Sequence, residues 1–427
     1  MQYALKNIFS DKWIVFLLAL QLIVLTIYAW FSFGLVTPNL ILFNNATYFE
    51  WQTQMWNTFH DNRTLTAQVY AILISVSFII YFFLIQKLLP KLKKNQLAFK
   101  HVLFILLLSS FPLFFSYNSL SADVFNYIFN ARMVVHYGAN PHVQVAMDFP
   151  DDPMVRFMHN SHTYAPYGYG FTLLSLPFYL IGFDRFILQW FSMRVFAVLG
   201  LILTYLVIWK WWHHKSKFKN ENTFHPFWLF LNPLMLIEFI SNSHNDVWMI
   251  LPAMLSLFLI YKSKRTWKVV LISLLLIAFS ISVKYATLVL VPFWLYIVLE
   301  KPVVLWLKQT KIFKVFLKWF DAYFFDIIAL GMFVPLLTPR SQLFHPWYLS
   351  WSIVWLPFCK SKIVPIFLLA FSASAMLRYL PFLLAGNYEG SVLIASQLIT
   401  FVGAIVIVGV YYLVKYFCKT FPRVKRG

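Results

Sequence analysis

Trp13-Ile-Val-Phe-Leu-Leu-Ala-Leu-Gln-Leu-Ile-Val-Leu-Thr-Ile-Tyr-Ala-Trp-Phe-Ser-Phe-Gly-Leu35 carries no charged side chain. A helix of that length, rising about 1.5 Å per residue, covers the roughly 30 Å hydrocarbon layer of a bilayer. Lys6 and Lys12 precede the run, as basic residues precede a secretory signal. The run is longer than the ~7–15 apolar residues of such a signal and lacks a small-residue cleavage site, so it is read as a retained first transmembrane helix. Further windows of spanning length lie near residues 67–86, 101–118, 186–209, 224–241, 247–261 and 268–283, and near 284–299, 321–338, 346–358, 363–385 and 391–414. Together they predict an all-α polytopic membrane protein with about twelve transmembrane helices.

Composition agrees. Of 427 residues, 61% are apolar, 20% aromatic and only 12% charged, against ~45–50% apolar and ~25% charged in soluble domains. The mean hydropathy is +0.70. The chain is expected to form one transmembrane domain over residues 1–427, with N-terminal helices in 1–100, a core in 101–360, and C-terminal helices with a basic tail in 361–427. Cys359 and Cys418 both fall on the same expected inner side, which implies no disulfide framework.

With both termini inside, the inner segments hold 27 of the 35 basic residues, the asymmetry that orients helices. The net charge of +20 is then topogenic. Lysines dispersed over every inner loop do not form the single basic stripe of a nucleic-acid binder, and contact with anionic inner-leaflet lipid follows from the same placement. The remaining eight are Arg63, Arg132, Arg156, Arg185, Arg194, Lys284, Arg340 and Arg378. Seven are arginine, whose planar fork suits phosphate or carboxylate. That points to an anionic ligand on the outer side, with structural ion pairs as the alternative. Tyr167 to Gly182 is apolar but contains Pro177, and a crossing there would invert the charge pattern. It is read as a juxtamembrane or re-entrant helix, such as lines a cavity. Lys284 is expected at the outer tip of a hairpin formed by 268–283 and 284–299.

The outer loop of residues 119–185 holds Asp123 where an apolar run ends. A carboxylate near lipid is costly and suggests function. Asp123-Val-Phe-Asn-Tyr-Ile-Phe-Asn-Ala-Arg-Met-Val-Val-His-Tyr-Gly138 reads as an amphipathic helix lying in the interface, stopped by Gly138 and Asn140-Pro141. Asp123, Asn126 and Asn130 share its face, and Arg132 points away. The plain alternative for Asp123 is a helix N-cap. Asp148, Asp151 and Asp152 sit among prolines and read as a solvated turn, so no metal is expected. Asn45-Ala-Thr and Asn62-Arg-Thr have the form of glycosylation sequons.

The order Asp123, then Tyr127 with Ala131-Arg132, then Tyr137-Gly-Ala-Asn-Pro141, resembles the first outer loop of membrane-embedded GT-C glycosyltransferases that use polyprenyl-phosphate sugars. Tyr164-Ala-Pro-Tyr-Gly168 is similar to their Tyr-Pro-Pro turn, with Ala165 where a proline is usual. Leu231-Asn-Pro-Leu234 and Ser241-Asn-Ser-His-Asn-Asp246 resemble elements of bacterial polyprenol-phosphate-mannose mannosyltransferases, with serine where glycines are usual around Asn242. Ser282-Val-Lys-Tyr285 and His345-Pro-Trp-Tyr348 extend the likeness, which spans about residues 100 to 360.

The resemblance implies a GT-C-like bundle whose core is catalytic, in a bacterial plasma membrane, with cytoplasmic termini and an extracytoplasmic site. It implies a hexose, mannose first, moved from a polyprenyl phosphate to a lipid or glycan acceptor with inversion. Asp123 would be the general base. Lys284, Arg340 and His345 would meet the leaving phosphate. Asn126, Tyr164, His244, Asp246, Trp347 and Tyr348 would contact sugar or acceptor. Simpler roles stay open: a snorkelling Lys284, a rim charge at Arg340, helix-end histidines, a capping Asp246, and belt aromatics at 164, 347 and 348. No cofactor is expected, and no Gly-x-x-x-x-Gly-Lys phosphate loop is present. The rival is a transporter or flippase, kept alive by Glu238, Asp326, Arg194 and Arg378 within apolar runs.

Overall fold

The structure, a computed structural model, describes residues 8–94, 99–214, 224–307, 311–338 and 343–420, and among them there are helices, turns and loops but no strand. Helix α1 (Lys12–Phe33) starts at Asp11, whose carboxylate accepts from the Trp13 N–H at 3.1 Å. It packs on α3 (Arg63–Lys94), reached through α2 (Ala46–His60). Both sequon asparagines serve as helix starters: Asn45 accepts from Tyr48 N–H and Asn62 from Leu65 N–H, the N-terminal satisfaction a helix start requires. Next come α4 (Phe99–Ser110), α5 (Asp123–Tyr137), α6 (Tyr169–Ile181) and α7 (Phe186–His214).

The chain then breaks. A short helix α8 (Pro233–Leu236) runs into a π-helical turn, Ile237–Ser241, and after Asn245 it resumes as α9 (Asp246–Lys262), bent by 117° from the segment before. Ser243 in the break has φ +61°, a left-handed conformation that disfavours side chains, at one of the positions where the resemblance has glycine. Helix α10 (Trp267–Val283) lies against α9 and leads through a 3-10 turn, Tyr285–Leu290, to α11 (Val291–Leu307). Then follow α12 (Lys311–Ala322), α13 (Phe324–Gly331), α14 (Ile363–Leu377), α15 (Leu380–Ala385) and α16 (Ser391–Thr420), with α16 packed along α14.

Among the described residues, five helices are long and apolar enough to cross a membrane, and up to seven crossings result if each of two bent pairs counts as one. The protein is thus an all-α polytopic bundle, with fewer full-length crossings than the hydropathy windows suggest. Residues 346–358 show why. They form 3-10 turns around one helical turn, Ser350–Ile353, and are almost wholly buried. Pro346 and Pro357 deny backbone donors, and apolarity here serves core packing instead of lipid contact. Likewise α5 does not lie on lipid: Val124 to Met133 are all buried, beneath α6, α7 and the loop that follows.

Arg194 on α7 holds the break in place. Its buried guanidinium donates to the carbonyls of Leu113, Phe114, Ser116, Ile240 and Ser241 and to Asn118 Oδ1. These oxygens end a 3-10 turn, Phe111–Phe115, and the π turn. Helix C-termini leave carbonyls without partners and carry partial negative charge, so a cation suits them. Asp326 also has a structural use, accepting from the backbone N–H of Lys360 and Ser361 at 2.8 and 3.0 Å.

Candidate functional site

Asp123 is the first residue of α5. Ala122, not Asp123, is its N-cap and makes no side-chain bond, so the carboxylate is not spent on capping. It faces a cavity of about 550 Å³ and keeps a side-chain exposure of 20%. His244 Nδ1 stands 3.3 Å from its Oδ2, and the Tyr127 hydroxyl donates to the same oxygen at 3.5 Å. The Asn245 N–H donates in turn to the Tyr127 hydroxyl at 3.2 Å, tying α5 to the break. Burial pushes the carboxyl upward, but His244, Lys284 and the Tyr167 hydroxyl outweigh it and hold Asp123 below the usual carboxylate range. It is a carboxylate at neutral pH.

Lys284 caps α10 in extended conformation. Its Nζ donates to Asp246 Oδ1 at 2.8 Å and to Asn245 Oδ1 at 3.1 Å, leaving one of its three N–H groups for the cavity. The rings of Tyr167 and Tyr348 lie 5.7 and 5.8 Å from it. Trp351 Nε1 also donates to Asp246 Oδ1, at 2.6 Å. Lys284 therefore does not snorkel, and Asp246 does not cap: Asn245 is the N-cap of α9, and Asp246 is a buried counter-ion.

The lysine's place depends on two glycines. Gly168 N–H donates to Val283 O at 3.0 Å, and a Cβ on Gly168 would lie 1.9 Å from the carbonyl oxygen of Ser282. A Cβ on Gly170 would lie 2.2 Å from Ser282 Oγ. Gly168→Ala must push α6 from the end of α10. The expected cost is ~1–3 kcal/mol of stability, as for other overpacked contacts, with lost activity because Lys284 moves. A thermal-shift measurement alongside a transfer assay checks it; unchanged values for both would show the contact to be soft.

His345 lines the cavity and stacks on Trp347 at 4.4 Å and 9°, while Trp347 stacks on His244 at 3.8 Å and 21°. Burial, opposed in part by Asp123, pulls His345 down to about 4, so it is neutral at pH 7 and offers one N–H and one acceptor, not a cation. Trp347 and Tyr348 line the same cavity. Tyr164 does not line it and is 57% exposed elsewhere. His244 and Asp246 are fully buried and absent from the lining, and they stand behind it against Asp123 and Lys284. Asn126 is buried with its Oδ1 unpartnered. Arg340 lies outside the described residues, as do parts of the basic segments around 215–223 and 421–427.

The acidic turn divides. Asp152 pairs with Arg132, and Asp148 accepts from the Val145 N–H. Arg132 also pairs with Asp184 at 2.8 Å, pinning the turn after α6 to α5. Sequence reasoning did not assign Tyr127, Tyr167, Asn245 or Trp351 to the site. Glu238, six residues before His244, reads from sequence as a charge within an apolar run.

Tyr285, Leu288 and Val334 line the cavity and are each more than half exposed, so one side of it is apolar and open. Fold and site together define a polytopic membrane protein with an ionised carboxylate and a paired lysine in an aromatic cavity at one end of its bundle. The chain belongs to the alpha-(1->6)-mannopyranosyltransferase family, whose N-terminal-domain model matches residues 23–300. It is accordingly a membrane glycosyltransferase-like protein. That span includes Asp123, His244, Asp246 and Lys284, whereas His345, Trp347 and Tyr348 lie beyond it. No curated protein and no solved structure matches the chain.

Proposed function

We propose that the protein is an inverting hexosyltransferase that moves mannose from a polyprenyl phosphate to a lipid or glycan acceptor on the extracytoplasmic face. The observation that carries this reading is a part-exposed, ionised Asp123 sharing one cavity with Lys284 and His345. The acceptor hydroxyl attacks the anomeric carbon, its proton passes to Asp123, and the bond from that carbon to the phosphate oxygen breaks with its electron pair leaving on the phosphate. The free N–H of Lys284 and a ring N–H of His345 suit that growing charge, with Arg340 as a further cation. Trp347 and Tyr348 offer ring faces to the sugar. The apolar side at Tyr285, Leu288 and Val334 gives the prenyl chain a lateral path from the bilayer. One inversion of a β-linked lipid-phosphate mannose yields an α-mannoside, consistent with the alpha-(1->6) of the family's name.

The test is transfer of radiolabelled mannose from polyprenyl-phosphate mannose in membranes holding the full chain. An α-linked product supports the reading. Label accumulating inside sealed vesicles without covalent product overturns it in favour of transport.

A further inference from the structure

Glu238 has no part in the mechanism above, yet it is fully buried on the π turn. Asn242 Nδ2 donates to its Oε2 at 2.9 Å, and the Tyr379 hydroxyl to its Oε1 at 3.4 Å. The same Oε2 stands 3.1 Å from His244 Nε2, while His244 Nδ1 faces Asp123 at 3.3 Å. One ring is thus held between two carboxylates, at ion-pair separation on both nitrogens. A neutral imidazole has one lone-pair nitrogen, which would face a carboxylate here; only the doubly protonated ring suits both. Trp347, stacked on that ring, adds a face that attracts a cation.

We propose that Glu238 is a positioning residue that acts through His244: it keeps the imidazole cationic, and the cation keeps Asp123 ionised and aimed when an anionic lipid phosphate binds beside it. This rests on the reading of Asp123 as base. The described residues place no lysine or arginine within ion-pair distance of Glu238, so His244 is its charge partner. Other groups facing the trio do not substitute. Lys284 is already matched by Asp246. His345 lines the cavity with Asp123 and Arg378 acts on His345, while Tyr127 and Tyr167 are neutral donors to Asp123. Tyr28, Tyr70 and Tyr379 surround Glu238 as neutral phenols.

The π turn explains why Glu238 can reach. Asn242 N–H bonds to Ile237 O, five residues back, and His244 N–H returns to the backbone oxygen of Glu238 at 3.1 Å. That wide loop folds the chain so that residues 238 and 244 face one another. An α-helical continuation would carry them to different faces.

The decisive variant is Glu238→Gln, which keeps shape and removes charge. In wild type the acid limb of the transfer rate should lie low, and in E238Q it should rise by about one pH unit or more, the size of effect expected when a carboxylate loses an adjacent cation. The KM for polyprenyl-phosphate mannose should stay unchanged, and the fall in kcat should be confined to the acid side. A merely structural Glu238 would leave the limb where it is. Independently of any activity, ¹⁵N-histidine NMR of the full chain in detergent, with His244 assigned by its loss in His244→Gln, should show imidazolium in wild type and a neutral ring in E238Q at pH 7. An unchanged His244 spectrum in E238Q overturns the proposal. Absence of transfer in wild type overturns the assigned reaction, and the NMR comparison still decides the role of Glu238. Should E238Q fail to accumulate, His244→Gln removes the link itself and must raise the same limb; an unmoved limb overturns the proposal.

Discussion

Asp123→Asn is expected to leave the protein folded and to lower mannose transfer by ~10²- to 10⁴-fold, the usual worth of a positioned general base. Asparagine matches aspartate in shape and can still accept from the Tyr127 hydroxyl, but it cannot take the acceptor's proton. The substitution removes one of two carboxylates beside His244, and Glu238 remains as partner, so no unpaired buried cation results. Transfer at equal expression in the same membranes is the measurement, and equal rates would remove Asp123 as base. The pH dependence gives a second check. Asp123 is held below the ordinary carboxylate range, so the base form persists as pH falls and the acid limb of the wild-type rate lies below about pH 4, the value of a free aspartate. The stability linked to this group has the matching sign. It is fully present above the unfolded-state value and fades as pH falls through the lower folded one.

Much of this site is legible in the sequence for one physical reason: a polar residue at the end of an apolar run has few reasons to be there. Asp123, Lys284, His345, Trp347 and Tyr348 all satisfy that description, and all line one cavity. Tyr164 satisfies it too and stands elsewhere, because belt aromatics look the same as stacking ones. His244 and Asp246 are in the right element but lie one layer behind the cavity, His244 beneath Trp347 and Asp246 beside Trp351, since adjacency in sequence does not say which side chain a neighbouring ring covers. Glu238 and Arg194 were illegible for the opposite reason. Within an apolar run a single charge reads as a transport group, and only tertiary structure shows that its partners are a histidine six residues on and the carbonyls of a distant segment. The helix count fails similarly: 346–358 is apolar enough for a crossing, but its prolines and burial make it irregular core.

Arg194→Met should be the most damaging single change to stability. The guanidinium meets six oxygens from two chain segments, and no carboxylate is among them. Ring contact with Trp190, at 4.1 Å, covers its face. Methionine fills comparable volume but leaves five backbone carbonyls and the Asn118 amide oxygen without this donor. Each buried acceptor left unmet costs ~1–3 kcal/mol. Some relief comes from bonds that survive, since Asn118 Nδ2 still reaches Ser241 O at 2.9 Å, Trp190 Nε1 still reaches Asn118 Oδ1 at 2.8 Å and the Ser116 hydroxyl still reaches Leu113 O at 2.7 Å. A net loss of at least ~3–5 kcal/mol remains, comparable to breaking a buried ionic network, against a total of only ~5–15 kcal/mol for a typical domain. The variant is expected to accumulate poorly and to unfold far below wild type in detergent at a fixed scan rate. Arg194→Lys should fall between, because three donors on a point charge serve fewer oxygens than a fork. A melting temperature for Arg194→Met within a few degrees of wild type would show that the carbonyls find other partners. Whatever fraction folds carries a diagnostic. Ile240 and Ser241 belong to the turn that presents Glu238, and Ser116 and Asn118 lead into Asp123. Loosening this clamp should lower the rate at every pH by misplacing both carboxylates, whereas loss of the Glu238 charge should move the acid limb.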